Sequence, residues 1–182
     1  YINGDVAKDK DAGVTKFIEG IKAKYAELEK KVVAKTSVDL AIADKDGNRL
    51  VRSEETNLGD LCADAYRNVL GADIAFVNGG GIRVAIPKGN ITYGQVIAVH
   101  PFGNMACVVE ATGQQIRDAL EFGARNVGKG ENGGFLQVSG LTYTINSLIE
   151  PSIQINEAGE FVKVTGDYRV RDVKVGGVDL DL

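Results

Sequence analysis

Asn78-Gly79-Gly80-Gly81-Ile82-Arg83 is the stretch on which the reading of this chain turns. It follows a short apolar run, Ile74-Ala75-Phe76-Val77, and ends in an arginine. Glycine lets backbone reach positive φ and lets a ligand approach the main chain closely. Three in a row weaken any strand or helix, so the run serves a shape. The arginine beyond it offers a planar fork of donors that suits carboxylate, phosphate or sugar hydroxyls, or stacks on an aromatic ring. Alone, such a run reads equally well as an ordinary turn followed by a surface arginine.

Three further blocks frame it. Upstream stands Arg52-Ser53-Glu54-Glu55-Thr56-Asn57-Leu58-Gly59-Asp60-Leu61. Downstream stand His100-Pro101-Phe102-Gly103-Asn104 and Gly133-Gly134-Phe135-Leu136-Gln137-Val138-Ser139-Gly140. In this order the four blocks resemble the C-terminal domain of the bacterial and animal 5'-nucleotidases. That family includes UDP-sugar hydrolases and 2',3'-cyclic nucleotide phosphodiesterases. The resemblance runs from about Arg52 to about Tyr143 and is weaker in the helix before it.

The composition sets the bounds. The 182 residues suffice for one well-packed domain, with 44% apolar and 25% charged residues. A net charge of −4 argues against a nucleic-acid polymer as partner, which calls for a basic face. It leaves room for a mononucleotide, for which a few local arginines suffice. No apolar run approaches the ~20 residues of a transmembrane helix, and no signal peptide is apparent. The chain opens on Tyr1, which suggests a fragment or a processed product. Cys62 and Cys107 sit in apolar company and are expected as two buried free thiols rather than a disulfide.

Periodicity places the elements. Residues 10–34 read as an amphipathic helix, with Val14, Phe17, Ile18, Ile21, Tyr25, Leu28 and Val32 at helical spacing. Residues 38–42 alternate as a strand does, and Asp46-Gly47-Asn48 signals a turn. Asn57 is expected to cap a helix running to Leu70, with Gly71 ending it. Residues 74–77 form a short strand. Thr92 caps a brief helix through Val99, and Thr112 caps one to about Asn126. Residues 105–111, 136–145 and 161–180 read as strands, and the glycine-rich stretch 126–134 as a mobile loop. Helices and strands mix without strict βαβ alternation, which predicts an α+β fold with a mixed β-sheet packed with helices. The resemblance implies the same, with a hammerhead-like excursion near Val84-Ala85-Ile86. It also divides the chain into an N-terminal segment with a linker-like helix, 1–34, and the domain proper, 35–182.

Several residues are candidates for a site on their own chemistry. Arg52 precedes the electropositive start of a helix. Arg83 closes the glycine run, and Phe102 follows a proline outside regular structure. Asn104 carries donors and acceptors able to read a base edge. The sole histidine, His100, has apolar neighbours and reads as a packing residue.

The resemblance adds roles to these positions. It implies that Arg52 and Arg83 contact substrate and that Phe102 forms one wall of a base-stacking clamp. It implies that Asn104, or in animal members Asn78, contacts base or ribose. Gly80, Gly81 and Gly133 are implied to line the site. Arg49 is near the position of a further family arginine but out of register, and is left outside the site.

The chain departs from the family pattern twice. Family members carry an N-terminal metallophosphoesterase domain whose two divalent metals are held by histidines and aspartates. One histidine and no Asp-x-His or Asn-His-Glu pattern cannot build that centre, so no cofactor is expected in this chain. The family also continues beyond a segment like Val173–Leu182 into a block supplying a second stacking aromatic and a ribose-binding aspartate. The chain is therefore expected to be truncated before that motif. The reading is a nucleoside or nucleotide recognition domain of a secreted, periplasmic or cell-surface phosphoesterase, not catalytic alone. Its expected partners are the nucleotide and the N-terminal domain of the same parent. The alternatives are a free-standing nucleoside-binding module, or a structural domain with a decayed pocket.

Overall fold

The computed structural model describes residues 10–182. The first nine residues of the predicted N-terminal segment lie outside them. The architecture is α+β, as the sequence implies, with four helices and small antiparallel sheets among the described residues.

Helix α1, Ala12–Lys30, starts at Asp11, whose carboxylate accepts from Val14 N at 2.8 Å. It is shorter than the expected 10–34, because Val32–Thr36 leaves the helix as strand β1 and pairs with β3, Gly89–Thr92. No residue of α1 is buried; its apolar face, including Phe17 and Tyr25, is exposed. Residues 38–42 do not form the expected strand. Only Leu40 bridges Ile86, in the region of the expected excursion, and the rest of the stretch is irregular.

A 3₁₀ turn, Leu50–Arg52, leads to α2, Asn57–Leu70. The cap of α2 is Thr56, whose Oγ1 accepts from Gly59 N at 3.2 Å, and not the expected Asn57. The Asn57 side chain is engaged elsewhere: it donates to Asp39 O and accepts from Ala41 N, both at 2.8 Å. It thereby ties the irregular stretch to the helix. Gly71 ends α2 in the left-handed conformation, φ 65°, as a glycine C-cap does.

Strand β2, Ala75–Asn78, pairs with β4, Leu136–Ser139. The glycine run Gly79–Gly81 then forms a second 3₁₀ turn. Helices α3, Tyr93–Val99, and α4, Gly113–Ala124, both begin with capping boxes: Thr92 with Gln95 and Thr112 with Gln115. Strands β5, Leu141–Ile145, β8, Val170–Val175, and β9, Val178–Asp179, form a three-stranded sheet. Strands β6, Ile153–Ile155, and β7, Phe161–Val164, form a separate hairpin.

The predicted strand at 105–111 forms no regular element and pairs with no strand among the described residues. Cys107 lies in it and is exposed, contrary to expectation, whereas Cys62 is buried and its thiol is pushed up to about 11 by desolvation. The stretch 126–134 is tied to the fold at Asn132. Buried Asn132 donates to Gly123 O at 2.7 Å and accepts from Gly134 N at 3.0 Å.

Two apolar clusters form the interior. One gathers Val51, Leu58, Ala63, Ile82 and Ile91 around α2. The other gathers Leu120, Ala124, Leu141 and Val170 between α4 and the β5–β8 sheet. Buried Arg169 links loops in that second region by donating to Ala124 O and Val127 O at 2.7 Å, while the Glu121 carboxylate accepts from Arg169 N and Val170 N. Each lost pairing there would strand a buried polar group.

Candidate functional site

The glycine run is a packing joint. None of Gly79, Gly80 and Gly81 has positive φ. What forbids a side chain is proximity: a Cβ on Gly79 would collide with Val51 O, and one on Gly80 would lie 2.8 Å from Gly133 O. Gly79 N donates to Phe135 O at 2.7 Å and Gly80 N to Gly133 O at 2.9 Å. Asn78 Nδ2 adds a third bond, to Gly133 O at 3.2 Å. The glycine run, the arginine loop and the Gly133 loop therefore meet backbone to backbone.

Arginines converge on this joint. Arg83 donates to Gly80 O at 3.0 Å, and its guanidinium carbon lies 5.6 Å from the centroid of the Phe102 ring. That is cation–π range. Phe102 is 61% exposed, so one face remains free. Arg52 pairs with Glu131 at 3.2 Å, and its Nε is buried without a partner. Arg49, left outside the site on sequence grounds, donates to Ile82 O at 2.8 Å. Desolvation, followed by the charges of Arg52 and Arg83, pushes its guanidinium below the ordinary arginine value. Three guanidinium groups thus share one field, opposed by one exposed carboxylate. A site of this kind favours an anion or an electron-rich ring.

The remaining candidates fall beside this cluster. Asn78, Gly81, Phe102 and Asn104 all line one groove of about 1060 Å³. Asn104 is exposed in its wall. Arg52 and Arg83 are not part of its lining. His100 packs edge-on to Tyr66, with ring centroids 5.8 Å apart, and burial lowers its pKa.

Gln137 was not singled out on sequence grounds, and it positions the arginine loop. Its Nε2 donates to Val51 O at 3.1 Å and Glu54 O at 2.7 Å. Its Oε1 accepts from Thr56 N at 3.0 Å and Thr56 Oγ1 at 3.3 Å. The amide is fully used and fully buried, and it staples both flanks of Arg52 to β4. A signal was present: a glutamine at a strand position flanked by apolar residues. Glu131 was also missed, since an exposed loop carboxylate carries no pattern of its own.

Comparison with known proteins gives a consistent picture. Residues 32–182 match the family model described as "5'-nucleotidase, C-terminal domain". The chain is 40% identical over 168 residues to the trifunctional nucleotide phosphoesterase protein YfkN of Bacillus subtilis, covering 84% of this chain and 11% of that protein. It is 31% identical over 189 residues to the cell wall protein Lmo0130 of Listeria monocytogenes, covering 93% of this chain and 24% of that one. Among solved structures, the 5'-nucleotidase precursor of Thermus thermophilus superposes with a TM-score of 0.73 at 35% identity, over 95% of this chain and 32% of that chain. The chain therefore spans a third or less of the length of each of these relatives.

Proposed function

The chain belongs to the 5'-nucleotidase C-terminal domain family, and on that footing we propose that it is the nucleoside- or nucleotide-recognition part of a metal-dependent phosphoesterase. The carrying observation is the exposed Phe102 ring backed by Arg83 and flanked by Asn104. The free face of Phe102 stacks the base, which is worth about 1–3 kcal/mol. Asn104 and Asn78 read polar edges of base or ribose. Arg52 and Arg83, with Arg49 behind them, hold oxygen-rich or anionic parts of the ligand. Gly80, Gly81 and Gly133 keep the backbone close to it.

The metal pair implied by the family does not fit these residues. Among the described residues, no group of three or more histidine, cysteine, aspartate or glutamate side chains converges. We assign the metals and the hydrolytic step to a separate, N-terminal metallophosphoesterase domain of the parent. The exposed apolar face of α1 is the natural surface toward that domain. A secreted, periplasmic or cell-surface setting accords with the cell-wall relative. No helix among the described residues is long and apolar enough to cross a membrane.

Calorimetric titration of adenosine and AMP into the chain, and separately into Phe102→Ala, tests the reading. Heat that saturates with the wild type, with binding weakened about 5- to 150-fold in the variant, supports it. Equal binding by both would overturn it, as would metal-dependent phosphate release by the repurified chain alone.

A further inference from the structure

Glu131 is fixed beside the arginines by the residue that follows it. Asn132 donates its backbone N–H to Arg52 O at 3.0 Å. Asn132 is itself buried, and its side chain is spent on Gly123 O and Gly134 N. The Glu131 backbone is therefore held next to that of Arg52. Its side chain is 47% exposed and free to swing, yet its charge stays within a side-chain length of Arg52. An incoming anion can turn the carboxylate aside but cannot remove it from the field. The other charges in the neighbourhood act elsewhere. Lys129, on the same loop, pairs with Glu150. Glu54 and Glu55 follow Arg52 in sequence but line a separate groove with Asp60 and Tyr143. The charges that act on Arg49 are those of Arg52, Arg83 and Glu131. Three guanidinium groups and one carboxylate leave the cluster a formal charge of +2, which one phosphate monoester dianion cancels.

We propose that Glu131 is a specificity-determining residue that sets how much anionic charge the arginine cluster accepts, biasing it toward a single phosphate monoester over ligands that carry two or three phosphates. The carboxylate acts through its charge. It subtracts from the attraction of the cluster in proportion to the charge of the ligand, so each further phosphate is penalised again. Removing an exposed carboxylate from beside an arginine is worth about twofold in affinity per unit of ligand charge. For a nucleotide, the inference rests on the recognition role proposed above, and it makes the preferred ligand a nucleoside monophosphate. For a bare anion it does not rest on that role, and the test therefore uses bare anions.

Titration of phosphate, pyrophosphate and tripolyphosphate, which carry about −2, −3 and −4 at pH 8, decides it. The anions are titrated without divalent metal, at one matched low ionic strength. The proteins are the wild-type chain, Glu131→Gln, Glu131→Asp and Glu157→Gln. Glu131→Gln should bind phosphate about 4-fold, pyrophosphate about 8-fold and tripolyphosphate about 16-fold more tightly than the wild type. Glu131→Asp keeps the charge and should keep the wild-type ratios among the three anions. Glu157→Gln removes the same charge from the exposed turn between β6 and β7 and should also keep them. An equal gain for all three anions would overturn the proposal, because a carboxylate that is merely displaced costs every anion the same. A graded gain in Glu157→Gln would overturn it by assigning the effect to net charge. So would Glu131→Asp behaving as Glu131→Gln, or the absence of anion binding to both the wild type and Glu131→Gln. Adenosine titrated into the same proteins separates this from the recognition role. Graded anion gains without adenosine binding would overturn that role and leave the charge selection standing; adenosine binding without graded gains would do the reverse.

Discussion

Arg83 stands over Phe102 with its guanidinium carbon 5.6 Å from the ring centroid. An exposed cation–π pair is worth about 0.5–1 kcal/mol, too little to matter for folding but enough to hold a ring in place. Phe102→Ala should cost nucleoside affinity about 1–3 kcal/mol, the value of one stacked base. Arg83→Ala should weaken nucleotide binding with little change in Tm. If the two side chains act together, the double variant loses less than the sum of the singles. Titration calorimetry on the four proteins measures that difference; strict additivity would show that Arg83 does not orient the ring.

Glu131 holds Arg52 at 3.2 Å. A phosphate arriving at Arg52 must compete with that carboxylate. Glu131→Gln should therefore strengthen AMP binding while leaving adenosine binding nearly unchanged. An exposed pair is worth about 0.2–1 kcal/mol, so the gain should be at most about fivefold. Competition titrations at low and high salt check it, and the gain should shrink as salt rises.

Gln137 is the staple beneath the site. Gln137→Leu keeps the volume but leaves Val51 O, Glu54 O and Thr56 N without their present partner. Each stranded buried group costs about 1–3 kcal/mol. Urea denaturation should show a loss of at least about 2 kcal/mol, and ligand affinity should fall with it because the Arg52 loop is released. Gly79→Ala should be comparably harmful, since its methyl meets Val51 O.

Asp60 carries a pH dependence. Desolvation, then the charges of Glu55 and Asp64, raise its carboxyl from 3.8 to about 6. The folded state therefore binds this proton more tightly than the unfolded chain does. Its contribution to stability is fully present below about pH 4 and is lost as pH rises through about 6. Asp60→Asn should raise stability at pH 8, and the advantage should disappear toward pH 4. Denaturation curves across that range test it; a gain that grows on acidification would contradict the assignment.

The helix starts Thr92 and Thr112 and the left-handed stop at Gly71 were legible in the sequence because caps are local. A hydroxyl reaching an amide three residues on needs nothing from the rest of the fold. The glycine run was legible as a stretch that serves a shape, but its reason was not: none of the three glycines has positive φ, and it is Val51 O and Gly133 O, far along the chain, that exclude a side chain. The cap of α2 was not legible. Thr56 and Asn57 are both capping residues, and the choice fell to Thr56 because Asp39 and Ala41 take the Asn57 amide from far away in sequence.

Strands failed for the same physical reason. An alternating pattern shows which face of a strand is apolar, but a strand exists only where a partner supplies its hydrogen bonds. Residues 38–42 and 105–111 have the pattern without the partner, while Val32–Thr36 found one in Gly89–Thr92. The α+β class and the capped helices were written in the sequence, because each rests on patterns a few residues apart. Tertiary structure alone decided that Gln137 fixes the Arg52 loop, that Glu131 guards Arg52, and that Arg49 joins the cationic cluster. Those contacts close loops of tens of residues, and only the packed core determines which of many polar side chains arrives.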